Sequence, residues 1–66
     1  MAAEHLSARE NEILLQLCRG LTNREIANRL FITEGATKGH LNRIFHKLEV
    51  RNRTGAVVKA RELGIL

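Results

Sequence analysis

The chain has 66 residues, a formal net charge of +4 and a single cysteine, Cys18. This length allows one small domain, one cysteine excludes an internal disulfide, and no apolar run approaches the ~20 residues of a transmembrane helix. The positive charge favours an anionic partner such as nucleic acid, and a lone Cys among leucines indicates a buried, inert thiol in a reducing, intracellular setting.

Local sequence signals predict helices throughout, and the first is expected over residues 7–19. Proline, Trp and Tyr are absent, and few residues favour strands in alternation. Ser7 and Glu10 form an S-x-x-E capping box, and Gly20 fits the left-handed residue that ends a helix. The apolar stripe at helical spacing consists of Ile13, Leu14, Leu17 and Cys18.

The second helix is predicted over residues 23–30, directly after the first turn. Thr22 and Glu25 repeat the capping box, and Leu21 is placed to pack against Ile26 as a hydrophobic staple. Its short inward face consists of Ile26, Ala27 and Leu30.

The third helix is predicted over residues 34–48, with Thr33 as its N-cap. Its inward stripe consists of Thr37, Leu41, Ile44 and Leu48. A short helix, a tight turn and a longer amphipathic helix make up the helix-turn-helix plan. In that plan the second helix of the pair enters the major groove of DNA.

The fourth helix is predicted over residues 53–63, with Asn52 as its cap and Gly64 as its end. Its inner face consists of Ala56, Val57, Ala60 and Leu63. We expect the last two residues, Ile65 and Leu66, to fold back on the core.

The predicted organisation is an all-α, four-helix bundle-like helix-turn-helix domain over residues 6–66. Residues 1–5, with the sequence MAAEH, lack the apolar run of a signal peptide. We expect them to be a disordered N-terminal tail or residues left from cloning.

The outer face of the third helix carries two glycines, Gly35 and Gly39, opposite the inward stripe. Glycine costs a helix interior roughly 1 kcal/mol relative to alanine, but on an outer face it lets the backbone approach a target closely. On this face Asn42 suits an adenine edge, and Lys38 suits a guanine edge or a phosphate. Two further cations on this side suit phosphates, namely Arg43 and Lys47.

Other interpretations of this face stay open. A polar helix face with a few cations is also what an ordinary solvated surface looks like. His40 and His46 are too far apart in sequence to share metal ligation on one helix face, so no metal or cofactor is expected. The face lacks the bulky apolar side that a membrane-surface helix needs. A protein-interaction module, whose basic face meets an acidic domain, is the second hypothesis.

The motifs L-S-x-R-E, G-L-T-N-R-E-I-A, K-x-H, K-L-x-V and N-R-T-x-A-V follow one another in this order. Together they closely resemble the LuxR-type helix-turn-helix DNA-binding domain, from about Leu6 to Leu66. The resemblance implies a cytoplasmic, nucleoid-associated domain of a bacterial transcription regulator. It also implies a third helix in the major groove, and a domain that is usually the C-terminal part of a longer regulator.

The resemblance also implies roles for individual residues. The base contacts fall on Lys38, Gly39 and Asn42. The phosphate contacts fall on Thr22, Asn23 and Arg24 at the start of the second helix, and on Arg43 and Lys47. Dimers of the family form through the fourth helix, whose outer residues here are Val58, Lys59 and Glu62.

This chain departs from the family pattern at the start of the third helix. The family usually has Ser/Thr-Glu-x-Thr-Val-Lys where this chain has T-E-G-A-T-K, so Ala36 replaces threonine and Thr37 replaces valine. With Gly35 and Gly39 nearby, we expect less stable first turns. Fewer side chains remain to read bases, so DNA shape is expected to contribute to specificity.

The sequence therefore predicts a sequence-specific double-stranded DNA-binding domain without enzymatic activity. We expect it to bind as a homodimer to an operator with two half-sites. RNA polymerase or an N-terminal regulatory domain is a further candidate partner. The chain has no nucleophile–base pair and no phosphate-cradling glycine-rich loop, and no membrane partner is expected.

Overall fold

The protein is all-helical in a computed structural model that describes residues 6–65. Its helices are α1 (Ala8–Cys18), α2 (Asn23–Leu30), α3 (Glu34–Leu48) and α4 (Arg53–Glu62). The prediction of four helices in a helix-turn-helix arrangement is confirmed. The expected tail at residues 1–5 and the placement of Leu66 lie outside the described residues.

Two helices are shorter than the sequence predicted, because capping residues lie half outside the helix. Ser7 has an extended backbone with φ −70° and ψ 167°, so it caps α1 rather than starting it. Arg19 serves as the C-cap of α1, and Leu63 is the C-cap of α4. The predicted bounds 7–19 included both caps of α1, and the predicted bounds 53–63 included the C-cap of α4.

Both predicted capping boxes are present. The Ser7 hydroxyl accepts from the Glu10 N–H at 3.1 Å, and Glu10 Oε1 accepts from the Ser7 N–H at 2.9 Å. Thr22 and Glu25 make the same pair of bonds at 3.2 and 2.8 Å. Each box satisfies two N–H groups that have no partner within the helix, which explains why α1 and α2 begin where they do.

Single caps start the other two helices. The Thr33 hydroxyl accepts from the Ala36 N–H at 3.0 Å, and Asn52 Oδ1 accepts from the Gly55 N–H at 2.8 Å. Helix α3 therefore begins at a capped N-terminus, with the two glycines in the turns that follow.

The inward faces of the four helices meet in one core. Its buried residues are Leu6, Ile13, Leu14, Leu17, Ile26, Leu41, Ile44, Leu48, Ala56 and Ala60. Thr37 is also fully buried, so the predicted stripe of α3 is confirmed along its whole length. Ile65 packs against the rim of the core, as expected.

Cys18 lies at the rim of this core and is only half-buried, which corrects the expectation of a buried thiol. It is the last residue of α1, where the apolar stripe reaches the edge of the core and is partly exposed to solvent. Partial burial raises the pKa of the Cys18 thiol, and the charge of Arg61 opposes that rise.

Left-handed residues end several helices. Gly20 has φ +89° and Gly64 has φ +74°, as the sequence predicted. Phe31 and Glu49 also adopt φ values of 57° and 58°, although neither is a glycine. Phe31 ends α2 and lets the chain turn within two residues to the cap of α3, which sets the tight helix-turn-helix connection.

Candidate nucleic-acid interface

The outer face of α3 is exposed along its length, opposite the buried stripe. Exposed residues on this helix include Gly35, Lys38, Asn42, Arg43 and His46, and Gly39 is half-buried. Because every member of the inward stripe is buried, the rotation of α3 is fixed. The candidate base-reading residues therefore face away from the core.

The two glycines of α3 are not required by packing. A Cβ added at Gly39 would have no heavy atom within 4 Å outside its own helix and chain neighbours, and one at Gly35 would meet only the Thr33 hydroxyl at 3.9 Å. The methyl group of an alanine would therefore fit at both positions. The outer surface of the first turns of α3 therefore lacks side chains at these two positions because the residues are glycines, and not because packing excludes a side chain there.

The start of α2 presents the candidate phosphate-binding residues. Thr22 is occupied by its capping box with Glu25, and the Thr22 backbone N–H lowers the pKa of the Glu25 carboxyl. Arg24 is exposed, whereas Asn23 is half-buried. The first N–H groups of a helix and its dipole favour an anion here.

Arg53 joins this group, which the sequence analysis did not anticipate. Its Nη1 donates to the carbonyl oxygen of Leu21 at 2.9 Å. Its Nη2 donates to Oδ1 of Asn23 in a short hydrogen bond. The start of α4 is thereby tied to the start of α2 across 30 residues of sequence. The one local signal is an arginine at the first position of a helix, where a cation is unfavourable.

Lys47 makes a salt bridge with Glu10, also unforeseen. The Lys47 ammonium lies 2.7 Å from Glu10 Oε1, and the two side chains are 35% and 7% exposed. The hydrogen bond from Lys47 is the main cause that lowers the pKa of the Glu10 carboxyl, with the Ser7 N–H next. Lys47, the predicted phosphate contact, therefore also links α3 to α1.

Helix α4 carries the candidate dimer surface. Val58 is 48% exposed, Glu62 is exposed and Lys59 is half-buried. Among the described residues, Phe31 is the other exposed large apolar side chain, at 95%. It lies in the turn between α2 and α3 rather than on α4.

The arrangement combines exposed cations and the exposed Asn42 amide with a helix whose first turns carry two glycines on the outer face. None of the helices in residues 6–65 is both long and apolar enough to cross a bilayer. In the same stretch, no three His, Cys, Asp or Glu residues are grouped so that they could bind a metal ion.

The sequence of this chain is similar to those of known bacterial regulatory proteins. The family profile described as bacterial regulatory proteins, luxR family, matches residues 4–60. The chain is 47% identical over 60 residues to the transcriptional regulatory protein LnrK of Bacillus subtilis (strain 168). It is also 47% identical over 57 residues to the response regulator protein VraR of Staphylococcus aureus (strain Mu3 / ATCC 700698). These matches cover 91% and 86% of this chain, but only 27% of each relative.

A solved structure has the same fold. The crystal structure of the response regulator ChrA, from a heme-sensing two-component system, superposes with a TM-score of 0.88 at 51% sequence identity. The match covers 92% of this chain and 30% of that one. The chain thus corresponds to less than a third of the length of these relatives.

Proposed function

Because this chain belongs to the luxR family of bacterial regulatory proteins, which are DNA-binding helix-turn-helix regulators of transcription, we propose that α3 enters the major groove and reads the DNA sequence. The observation that carries this proposal is the exposed outer face of α3, where Gly35 and Gly39 leave the backbone accessible opposite a fully buried stripe. A helix of this kind fits a groove about 12 Å wide.

The proposed contacts divide into two classes. Lys38 and Asn42 read base edges, and Gly39 lets the backbone of α3 come close to them. The phosphate contacts are Thr22, Asn23, Arg24, Arg43 and Lys47. Thr22 and Asn23 use the start of α2, where the helix dipole supports an anion. Because Lys47 also pairs with Glu10, its phosphate contact is expected to be weaker than that of a lysine without an acidic partner.

We further propose that the chain binds as a homodimer to two half-sites about one helical turn apart. Val58, with Lys59 and Glu62, forms the candidate interface. The exposed Val58 side chain supports this assignment. If dimerisation occurs there, Val58→Glu abolishes cooperative binding to a two-half-site duplex, measured by sedimentation, and leaves single-site binding intact.

The domain is proposed to be the C-terminal part of a longer cytoplasmic regulator, associated with the nucleoid and without catalytic activity. The support is that the matches cover about 27–30% of LnrK, VraR and ChrA, two of which are named response regulators. An N-terminal regulatory domain and RNA polymerase are the protein partners this implies.

A proton–nitrogen NMR titration with a double-stranded DNA tests the main proposal. Shift changes concentrated on residues 22–24 and 35–47 support it. Diffuse changes that vanish with modest salt contradict specific readout and favour the protein-interaction hypothesis.

Asn42→Ala is expected to weaken binding to a selected DNA site by about 1–3 kcal/mol and to relax discrimination at one base pair. Equal binding by the variant would remove Asn42 from the readout.

A further inference from the structure

Arg53 stands at a position that its own helix does not favour. It is the first residue of α4, and its positive charge faces the positive end of the helix dipole. Helices α1, α2 and α3 each have a glutamate in the first turn, whereas α4 has no acidic residue there. The stability of α4 therefore does not explain an arginine at this place.

The side chain of Arg53 contacts residues at the start of α2, the first helix of the helix-turn-helix pair. One guanidinium nitrogen donates to the Leu21 carbonyl at 2.9 Å, and the other donates to Asn23 Oδ1. A planar fork with two donors suits this pair of acceptors, which flank the N-cap of α2. A lysine, with one nitrogen, does not span both acceptors in the same way.

This contact decides which way the Asn23 amide points. A guanidinium has donors and no acceptor, so only the amide oxygen of Asn23 can face Arg53. The amide NH₂ group, which is carried by the same carbon, then points away from the guanidinium. A phosphate oxygen accepts hydrogen bonds only, so Asn23 can serve a phosphate solely through that NH₂ group.

We propose that Arg53 is a positioning residue for DNA binding: its guanidinium holds the Asn23 amide with the NH₂ group turned outward, as the donor to a DNA phosphate. This inference rests on the proposed function of α2 as a phosphate-binding element. It assigns a role in DNA binding to a residue of α4, outside the helix-turn-helix pair.

A double-mutant cycle tests the proposal. Arg53→Lys keeps the charge and loses the fork, and Asn23→Ala removes the amide. The probe is a fluorescein-labelled duplex of about 20 base pairs of mixed sequence at low salt, because phosphate contacts are independent of sequence. Fluorescence anisotropy is expected to show Arg53→Lys binding on the order of fivefold more weakly, about the effect of one hydrogen bond. In the Asn23→Ala background the same change is expected to have no effect.

The matched control is Arg51→Lys, a charge-preserving change at an exposed residue of the loop that precedes α4. It is expected to bind as the unchanged protein does. Because both lysine variants keep the net charge, the slope of affinity against salt is expected to stay constant. Equal losses from Arg53→Lys with and without the Asn23 amide, or no loss at all, would overturn the proposal.

A measurement on the free protein separates this inference from the proposed function. The side-chain NH₂ of Asn23 is expected to give a high NMR order parameter in the unchanged protein and a lower one in Arg53→Lys. An unchanged order parameter overturns the positioning role, whatever the binding result. If the unchanged protein binds no duplex at low salt, the proposed function fails, while this measurement still decides whether Arg53 orients the amide.

Discussion

Phe31 combines a left-handed backbone with a side chain that is 95% exposed. The left-handed conformation costs a non-glycine residue about 1–2 kcal/mol, and an exposed ring recovers little by burial. We expect Phe31→Gly to raise the free energy of unfolding by about 0.5 kcal/mol after the entropy cost of glycine. Urea unfolding measures the change. The reciprocal control is Gly20→Ala, at φ +89° with open space around it, which should lose about 1 kcal/mol.

Thr37 places a hydroxyl in the fully buried stripe of α3. Its Oγ1 donates at 3.1 Å to the Thr33 carbonyl, which already accepts from the Thr37 N–H at 3.0 Å. Replacing the hydroxyl by a methyl group therefore leaves no buried polar group without a partner. We expect Thr37→Val to stabilise the domain by about 0.5–1 kcal/mol, seen as a higher midpoint of urea unfolding. A loss of stability would mean that the second hydrogen bond contributes more than the buried methyl.

At the scale of the helix, Gly39 and Gly55 both lie within α-helices but have different surroundings. A Cβ at Gly39 of α3 meets no neighbour within 4 Å, whereas one at Gly55 of α4 would lie 3.2 Å from Val50 Cβ and 3.4 Å from Asn52 Oδ1. Gly39→Ala is expected to stabilise the protein by about 1 kcal/mol through helix propensity. Gly55→Ala should gain little or nothing, because Val50 Cβ is attached to the backbone and yields poorly.

Thermal unfolding of the two alanine variants checks that Gly39→Ala is stabilised more than Gly55→Ala. Binding of a DNA duplex by Gly39→Ala then tests the role of this glycine in the groove. If Gly39 allows close approach to the bases, its alanine variant binds DNA more weakly although it is more stable. Equal stabilisation at both positions would mean that the α4 start has room to adjust. Unchanged DNA affinity of Gly39→Ala would place the groove contact elsewhere on α3.

At the scale of the whole molecule, the Glu10–Lys47 pair makes stability depend on pH. The lowered pKa of Glu10 means that the folded protein keeps the carboxylate ionised where the unfolded chain would protonate it. Its contribution is therefore complete above the ordinary pKa of 4.5 and is lost as the pH falls through the lowered value. Glu10→Gln should lower the free energy of unfolding by about 1–2 kcal/mol at pH 7, with a smaller difference near pH 3.

Urea unfolding at several pH values measures this dependence. The control is Glu12→Gln, an exposed glutamate of the same helix, which is expected to leave the profile unchanged. A constant difference between Glu10→Gln and the unchanged protein from pH 7 to pH 3 would contradict an ionic origin.

Much of this fold was predictable because its signals are local. The capping boxes at Ser7 and Thr22 and the stripe of α3 depend on residues three or four apart, so sequence spacing reveals them. The Glu10–Lys47 and Asn23–Arg53 contacts join residues 37 and 30 positions apart. No local pattern identifies the partner of Lys47 or of Arg53, since only the packing of the helices brings the members of each pair together. The left-handed Phe31 was missed for a related reason, because the tight turn imposes a conformation that its residue type does not favour.

The open space around Gly35 and Gly39 has a consequence for engineering. Both positions lie on the outer side of α3, and neither supports the core. A library that randomises these two residues can therefore vary the chemistry of the surface without repacking the interior. Helix α3 is thus a scaffold with two substitutable positions: a new side chain at Gly35 would add a contact, whereas one at Gly39 would exchange the close approach of the backbone for a side-chain contact.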